Sequence, residues 1–251
     1  MKKIKYIIHL ADLHIRTFNR HKEYTEIFTL VLEKIKNIIG DNDPEEYRIV
    51  IVGDIVHQKI QISNEQLILT RWLFNELANI CKVIIIGGNH DLLANNKDRM
   101  DSITPVVKFL NHPNIQYFTE SKCYEDSNII WSVYSVFEDN KRPDIDQAKK
   151  TYGAIDFKYL GLYHAPLTGA KTDTGYEFEH SDNVEIFEGL DGVLCGDVHL
   201  RQTIKSNIPI VFPGSVIQQN FGEKIKGHGF VLWNVENLTY SGFDIPNKFS
   251  M

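Results

Sequence analysis

Carboxylate, imidazole and amide side chains occur in five short segments of the chain, each directly after an apolar run. Oxygen and imidazole ligands together suit divalent ions such as Mn²⁺, Fe²⁺ or Zn²⁺. Two such ions about 3.5–4 Å apart form a clamp that hydrolyses phosphoesters, so metal-assisted hydrolysis is the first hypothesis. The side chains are Asp12 and His14 in ADLH, Asp54 and His57 in GDIVH, Asn89, His90 and Asp91 in GGNHD, His164 in YHAP, and Asp197 and His199 in GDVH.

Each segment has an ordinary structural interpretation when it is taken alone. An isolated Asp-x-His is usually a turn or a surface pair, and Gly-Asn is a common turn dipeptide. His164 can be a hydrogen-bonded core histidine, and Asp54 can cap the helix that follows it. For there to be no shared site, such an interpretation would have to be correct for each of the five segments independently, although all five follow an apolar run in the same way. The joint pattern therefore favours one shared site.

Alternating strands and helices must position the five segments. Apolar runs at 4–10, 47–54 and 81–91 predict strands of a sheet that is buried on both faces. Helical spacing predicts helices over 22–38 and 63–80, the second beginning at an N-cap Ser63. Further apolar runs predict a second sheet packed on the first, with helices outside: SNIIWSVYSVF, FKYLGLYHAPL, LDGVLCGDVH, IPIVFPGS and GHGFVLWNVE.

The ends of these predicted strands are where a shared site is expected. Ligand sites in open α/β sheets gather beyond the carboxyl ends of the strands, so all five segments can meet there. Asp12 and His14 are two residues apart, as are Asp197 and His199, and on an extended segment such side chains point the same way. Asp54, at the end of a central strand, is expected to bridge two ions.

Length and composition limit the classes of protein. With 251 residues, 43% of them hydrophobic, the chain fits one α/β domain over 1–251. A net charge of −6 argues against a general cationic coat for nucleic acid, although it allows a local basic patch. Cys81, Cys123 and Cys195 are odd in number and widely spaced, which predicts reduced thiols and a cytoplasmic location. No apolar run reaches the ~20 residues of a membrane span.

The motifs resemble those of the calcineurin-like metallophosphoesterases. The order is Asp-x-His, Gly-Asp-x-x-His, Gly-Asn-His-Asp, a later His and a final Gly-x-x-His. Within that family the chain is most similar to the SbcD-type nucleases, because the second motif ends in His57 and FPGSVIQQNFGE resembles their Pro-Gly-Ser…Phe-Gly-Glu segment. YHAPLTGAKTDTGYEF resembles viral members, which would change the location to a host-cell cytoplasm. The resemblance covers about Ile7 to Asn237 and implies a four-layer αββα sandwich, two mixed sheets flanked by helices.

The resemblance also implies roles for the individual residues around two divalent ions, Mn²⁺ first and Mg²⁺ as the alternative. His90 would face the scissile phosphate as an acid or a stabiliser of charge, with Asp91 orienting it. His57 would help to place the DNA end. One ion would be held by Asp12, His14, His199 and the bridging Asp54, and the other by Asp54, Asn89, His164 and Asp197.

The chain departs from the family pattern at three points. Asp197 stands where the family has a histidine, Ile15 and Arg16 follow the first motif in place of a small glycine, and neither a capping domain nor an ATPase-binding segment is apparent. A carboxylate is a good ligand for Mn²⁺ or Mg²⁺, and it would make the site one charge less positive. We expect Asp197 to bind the second ion and to favour Mn²⁺ over Zn²⁺. The alternative is a local turn hydrogen bond and a weak or empty second site.

Three function classes follow. The first is a DNA nuclease for end processing in recombination repair, with 3′→5′ exonuclease action on duplexes and endonuclease action on single strands, beside an SMC-like ATPase subunit. The second is a phosphatase or small-molecule phosphodiesterase, and the third is a catalytically weak scaffold. Apolar residues in NEQLILTRWLFNEL fit either a homodimer or core packing. The cations that could contact DNA are Arg16, Arg20, His21, Lys22, Lys97, Arg99, Lys171, Arg201 and Lys224, each of which fits a solvated surface equally well.

Overall fold

The apolar runs form the strands of two six-stranded mixed sheets. The structure is a computed structural model that describes residues 2–96, 98–139, 141–153 and 155–249. The first sheet contains β1 (Tyr6–Leu10), β2 (Tyr47–Val52), β3 (Lys82–Ile86), β4 (Ile115–Phe118), β11 (Gly229–Asn234) and β12 (Tyr240–Asp244). The second contains β5 (Cys123–Asp126), β6 (Ile129–Tyr134), β7 (Lys158–His164), β8 (Gly192–Gly196), β9 (Gln202–Ile204) and β10 (Ile210–Phe212).

Each sheet has a parallel centre and antiparallel edges. The spatial orders are β12-β11-β1-β2-β3-β4 and β5-β6-β7-β8-β10-β9. β1 to β4 are parallel, as are β6, β7, β8 and β10, whereas β11, β12, β5 and β9 are antiparallel to their neighbours. The carboxyl ends of β1, β2 and β3 therefore lie along one edge of the first sheet, and those of β7 and β8 along one edge of the second.

Helices cover the outer faces of both sheets. These are α1 (His21–Ile39), α2 (Asn64–Ile80), α3 (Ile103–Leu110) and α4 (Ile145–Tyr152), with 3₁₀ turns at Pro44–Glu46 and Val184–Phe187. Three apolar layers result: one under α1 to α3, one between the sheets and one under α4. The predicted αββα sandwich is confirmed. Ser63 caps α2, as predicted, by accepting a hydrogen bond from the Gln66 amide at 3.1 Å.

The prediction that GHGFVLWNVE belongs to the second sheet is wrong. This run forms β11, which pairs antiparallel with β1 in the first sheet. Val231 and Trp233 face the second sheet, whereas Phe230 packs under the helices. An apolar run shows that a strand is buried on both faces, but it does not identify the strand with which it pairs.

The three cysteines form no disulfide, as their number and spacing predicted. Cys81, Cys123 and Cys195 are free thiols, and two of them are buried. Within the described ranges, no helix has both the length and the apolar character that crossing a membrane would require.

Candidate metal centre

The strand ends bring the predicted site residues together at one edge of the sandwich. β1, β2, β3, β7 and β8 end at Leu10, Val52, Ile86, His164 and Gly196, immediately before or at the polar segments. The two sheets approach closely there, since a Cβ atom at Gly196 would collide with the carbonyl oxygen of Val52 in the other sheet. Glycine at this position therefore allows side chains from both sheets to converge.

Left-handed backbone conformations set the direction of the side chains of four predicted ligands. Asp12, His14, Asp54 and Asp197 have φ angles of +54°, +45°, +52° and +87°. Non-glycine residues rarely adopt such angles, and they cluster at functional sites where the surrounding structure enforces them. The side chains of Asp12 and His14 do point to one place, as expected, since their ligand atoms lie within 4.8 Å of each other. The extended segment expected to achieve this is absent: β1 has ended at Leu10, and left-handed residues direct both side chains instead.

One group of ligands joins the two sheets through histidine. Atoms of Asp12, His14 and His199 all lie within 4.8 Å of one another. His14 Nε2 is 3.0 Å from His199 Nε2 and 3.4 Å from Asp54 Oδ2. Asp12 and His14 are buried, and His199 is half-buried. This is the set predicted for the first ion, with Asp54 beside it.

A second group surrounds the buried His164. Its Nε2 atom lies 3.2 Å from Asp54 Oδ1, 3.4 Å from Asn89 Oδ1 and 3.8 Å from Asp197 Oδ1. Asp12, Asp54 and His164 form the compact part of this group, within 4.8 Å. The four residues predicted for the second ion thus lie together, and Asp54 contacts members of both groups.

The spacing of these atoms fits bound cations. Two ligand atoms at about 2.0–2.2 Å from one ion, at right or tetrahedral angles, lie roughly 3.0–3.6 Å apart. The His14–His199, His14–Asp54, His164–Asp54 and His164–Asn89 distances of 3.0, 3.4, 3.2 and 3.4 Å lie in that range. Two imidazole nitrogens at 3.0 Å also need a proton or a cation between them. The donor set therefore suits divalent metal ions.

Outer contacts fix the orientation of two histidine rings. His164 Nδ1 donates to the Val52 carbonyl at 2.7 Å, and His199 Nδ1 donates to Glu223 Oε1 at 2.7 Å. Each contact leaves Nε2 to face the centre, which is the usual arrangement of metal-binding histidines. Sequence reasoning did not assign Glu223 to the site, although it used the FPGSVIQQNFGE segment that contains it.

Asp91 has contacts that differ from its predicted role. Its buried carboxylate accepts hydrogen bonds from the amides of Ile55, Val56 and Gly88 at 2.8–3.2 Å. The described partner of the His90 ring is instead the His57 carbonyl, 2.7 Å from Nδ1. The prediction that Asp91 orients the His90 side chain is therefore wrong. Asp91 holds the two backbone turns together, because an acceptor-only carboxylate satisfies several buried amides at once.

His57 and His90 form the mouth of the centre. Their rings stack with centroids 5.3 Å apart and 22° between planes, and both are half-buried. His57 Nδ1 is 3.3 Å from His14 Nδ1, and the His90 amide donates to Asp54 Oδ1 at 2.8 Å. His14, His57 and His90 also lie close enough to hold an ion. Both predicted catalytic histidines thus directly contact residues predicted to bind metal.

Asp197 occupies the edge of the second group. Its backbone amide donates to the carboxylate of Asp12 at 3.0 Å, so the turn hydrogen bond here is made by the main chain. Among the described contacts its carboxylate has no hydrogen-bond donor, and His164 Nε2 lies 3.8 Å from its Oδ1 atom. Burial raises the pKa of Asp197, because the carboxylate is desolvated without a donor. A cation beside it would remove that penalty.

Contacts within the centre raise the pKa of two histidines. Burial opposes protonation of His199, but the hydrogen bond to Glu223 and the charge of Asp12 outweigh it and raise its pKa to about 9. Burial also opposes protonation of His164, and the charge of Asp54 outweighs it and raises its pKa well above the usual range. Metal binding must displace both protons, so metal affinity is expected to rise with pH.

The metal-free protein is expected to lose thermal stability as pH rises from about 6.5 to about 9. Histidines whose pKa is higher in the folded state stabilise the fold fully below the unfolded pKa, and this stabilisation is lost as pH passes the folded pKa. Thermal melts of the EDTA-treated protein across this range measure the effect. Saturating Mn²⁺ should abolish the decline. A melting temperature that does not change with pH would contradict the protonation states assigned here.

Most of the cations considered for DNA binding have partners within the chain. Lys171 pairs with Glu177 at 3.2 Å and Arg201 with Asp244 at 2.6 Å. Arg20 pairs with Glu23, and Arg16 donates to the Gln219 carbonyl. His21 contacts the Arg16 carbonyl, and Lys97 lies outside the described residues. These contacts favour structural roles for Arg20, Lys171 and Arg201.

Comparison with known proteins agrees with this geometry. The sequence profile of the family described as calcineurin-like phosphoesterase matches residues 5–201, which contain all the predicted site residues and end before Glu223. The chain is also similar to an uncharacterized protein of Acanthamoeba polyphaga mimivirus, with 36% identity over 253 residues that cover 98% of the chain. The chain spans 18% of the length of that viral protein.

Proposed function

The chain belongs to the calcineurin-like phosphoesterases, and on that premise we propose that it is a metal-dependent nuclease that hydrolyses the phosphodiester bonds of DNA. The observation that carries the proposal is the position of His57, the residue on which the resemblance to SbcD-type nucleases depends. Its ring contacts His14 and stacks on His90, and this position beside the candidate metal centre supports the proposal. The same resemblance supplies the finer parts of the proposal. These are exonuclease action on duplexes, endonuclease action on single strands, a role in end processing for recombination repair, and an SMC-like ATPase as partner.

Some residues of the centre would bind metal ions, and His90 would transfer a proton. Two divalent ions held by the two groups would supply Lewis acidity at the phosphoryl oxygens and a more acidic water. His90 Nδ1–H donates to the His57 carbonyl at 2.7 Å, so Nε2 is the nitrogen that faces the substrate, and it would protonate the leaving oxygen from the doubly protonated imidazolium form. Asp91 holds together the turns that contain Asp54 and His90 by accepting hydrogen bonds from both. Glu223 accepts a hydrogen bond from His199 Nδ1, which orients His199 Nε2 toward the centre.

Replacing Asp197 with alanine is expected to weaken binding of the second equivalent of Mn²⁺ by at least about tenfold, since a ligand oxygen and a negative charge are lost. The first equivalent, held by His14 and His199, should bind as before. Calorimetric titration of wild type and Asp197→Ala with Mn²⁺ and Zn²⁺ measures both steps. Equal stoichiometry and affinity in the two proteins would show that Asp197 is not a ligand, and a wild-type preference for Zn²⁺ would contradict the preference for manganese.

A small-molecule phosphodiesterase is the second candidate. The internal ion pairs of Lys171 and Arg201 favour it, because fewer free cations near the site leave less charge to bind the DNA backbone. The net charge of −6 acts in the same direction.

One assay separates these candidates. Labelled linear DNA and bis(p-nitrophenyl) phosphate are each incubated with Mn²⁺, Mg²⁺ or EDTA, using wild type and His90→Gln. Metal-dependent cleavage of DNA that His90→Gln lacks supports the nuclease. Turnover of the small ester alone supports the phosphodiesterase. Failure on both substrates would contradict hydrolytic function and leave a scaffold role.

A further inference from the structure

A cleft of about 300 Å³ opens beside the metal centre and shares Asp197 and His199 with it. Asp173 and Phe178, from the segment between β7 and β8, line one wall, and Asn220 and Glu223, from the segment before β11, line the other. We call this space the side cleft. Its volume is at the lower end of the range for small-molecule sites, so it suits one nucleoside rather than a duplex.

Hydrogen bonds fix both walls of the side cleft. Phe178 exchanges backbone hydrogen bonds with Gly169 and Ala170 at 2.8 and 2.9 Å. Glu223 accepts from the Gln219 amide and the Asn220 side chain, each at 2.6 Å. A preformed site loses little conformational entropy when a ligand binds.

The charges of the side cleft do not favour a phosphate group as its occupant. Among its described lining residues there is neither lysine nor arginine, and its one imidazole, His199, is hydrogen-bonded to the carboxylate of Glu223. The carboxylate of Asp173 would repel a phosphate, whereas it would not repel an uncharged ring. The side cleft therefore suits the neutral part of a substrate whose phosphate lies at the metal centre.

Two side chains define the chemistry of that neutral part. Phe178 is half-buried and packs edge-on against Tyr176, with ring centroids 5.2 Å apart. Asp173 Oδ1 is buried without a hydrogen-bond partner, one of four such side-chain atoms in the described part of the chain. Unsatisfied buried acceptors are rare in folded proteins and call for a donor. An aromatic ring and an unsatisfied acceptor that line the same cleft match a nucleobase that carries an amino group.

We propose that the side cleft binds the base of the nucleotide next to the scissile phosphate, stacked on Phe178, with its amino group donating to Asp173. This inference rests on the proposed nuclease function and adds a base preference to it. Adenine, cytosine and guanine carry exocyclic amino groups, whereas thymine presents carbonyl oxygens on both sides of its single ring N–H. Thymine is therefore the least favourable base.

Cleavage of DNA with a modified end tests the stacking contact. Labelled oligonucleotides end either in adenosine or in an abasic tetrahydrofuran nucleotide, which keeps the phosphates and removes the base. Wild type with Mn²⁺ is expected to show a KM about tenfold lower for the adenosine end, as expected for one base stacked on an aromatic ring. Phe178→Leu should lose most of this difference while folding normally.

The control for that variant is Phe109→Leu, which changes an exposed phenylalanine on α3 that does not line the side cleft. It should keep the wild-type difference. Asp173→Asn should reduce discrimination between adenosine and thymidine ends, because an amide offers a donor as well as an acceptor. Equal KM values for base-containing and abasic ends in wild type, or wild-type behaviour of Phe178→Leu, would overturn the inference.

A binding measurement separates failure of this inference from failure of the nuclease proposal. Deoxyadenosine 5′-monophosphate and deoxyribose 5-phosphate are titrated into the manganese-loaded protein. We expect the nucleotide to bind about tenfold more tightly to wild type and to lose that advantage with Phe178→Leu. Equal binding of the two ligands would overturn the inference even if DNA is cleaved. Tighter nucleotide binding without DNA cleavage would keep the cleft assignment and refute the nuclease.

Discussion

Asp54→Asn is expected to lower kcat/KM for phosphoester hydrolysis by at least about a thousandfold, which corresponds to roughly 4 kcal/mol of transition-state stabilisation. Asp54 lies 3.4 Å from His14 Nε2 and 3.2 Å from His164 Nε2, so it is the carboxylate between the two ligand groups. Asparagine tolerates the left-handed conformation at this position, with φ +52°, so the fold should be preserved.

The matched control is Asp41→Asn, at an exposed aspartate before β2. It should retain full activity and metal binding. Steady-state kinetics, manganese titration and circular dichroism are measured on both variants. A folded Asp54→Asn protein with more than a tenth of wild-type activity would show that Asp54 does not connect two metal ions.

His90→Gln is expected to lower kcat by about 10²- to 10⁴-fold while leaving manganese affinity unchanged, the signature of a group that transfers a proton. His90 Nδ1 contacts the His57 carbonyl at 2.7 Å, which leaves only Nε2 for the substrate. Glutamine preserves a polar side chain of similar reach, but it does not exchange a proton near neutral pH.

The competing interpretation of His90 is that it binds a metal ion together with His14 and His57. In that case His90→Gln would weaken manganese binding along with activity, and the two measurements would fall together. His112→Gln is the control, because His112 is, like His90, a half-buried histidine, and its described side-chain contacts are with Asn79 and Asn114. Both of its properties should match the wild type.

The elements and the position of the site could be predicted from local patterns. Apolar runs located β1, β2 and β3, and the Ser63 cap located the start of α2. The same patterns placed the polar segments at strand ends because carboxyl ends of parallel strands share an edge. The pairing of β11 with β1 was missed, since it depends on contacts distant in sequence.

The orientation of individual side chains could not be predicted from the sequence, because it depends on tertiary contacts. Nothing local indicates that Asp12 and Asp197 adopt left-handed conformations, which occur where the two sheets approach closely. The Asp91 carboxylate was expected at the His90 ring, yet three backbone amides compete for it and are buried. Glu223 reaches His199 across 24 residues of chain, a distance over which sequence spacing carries no information.

Anomalous X-ray diffraction from crystals grown with Mn²⁺ would show whether the chain holds two ions, because it locates manganese without reference to activity. We expect two peaks per chain: one among Asp12, His14 and His199, the other among Asp54, Asn89, His164 and Asp197. A single peak among His14, His57 and His90, or no peak at the ends of β1, β2, β7 and β8, would contradict a two-metal centre.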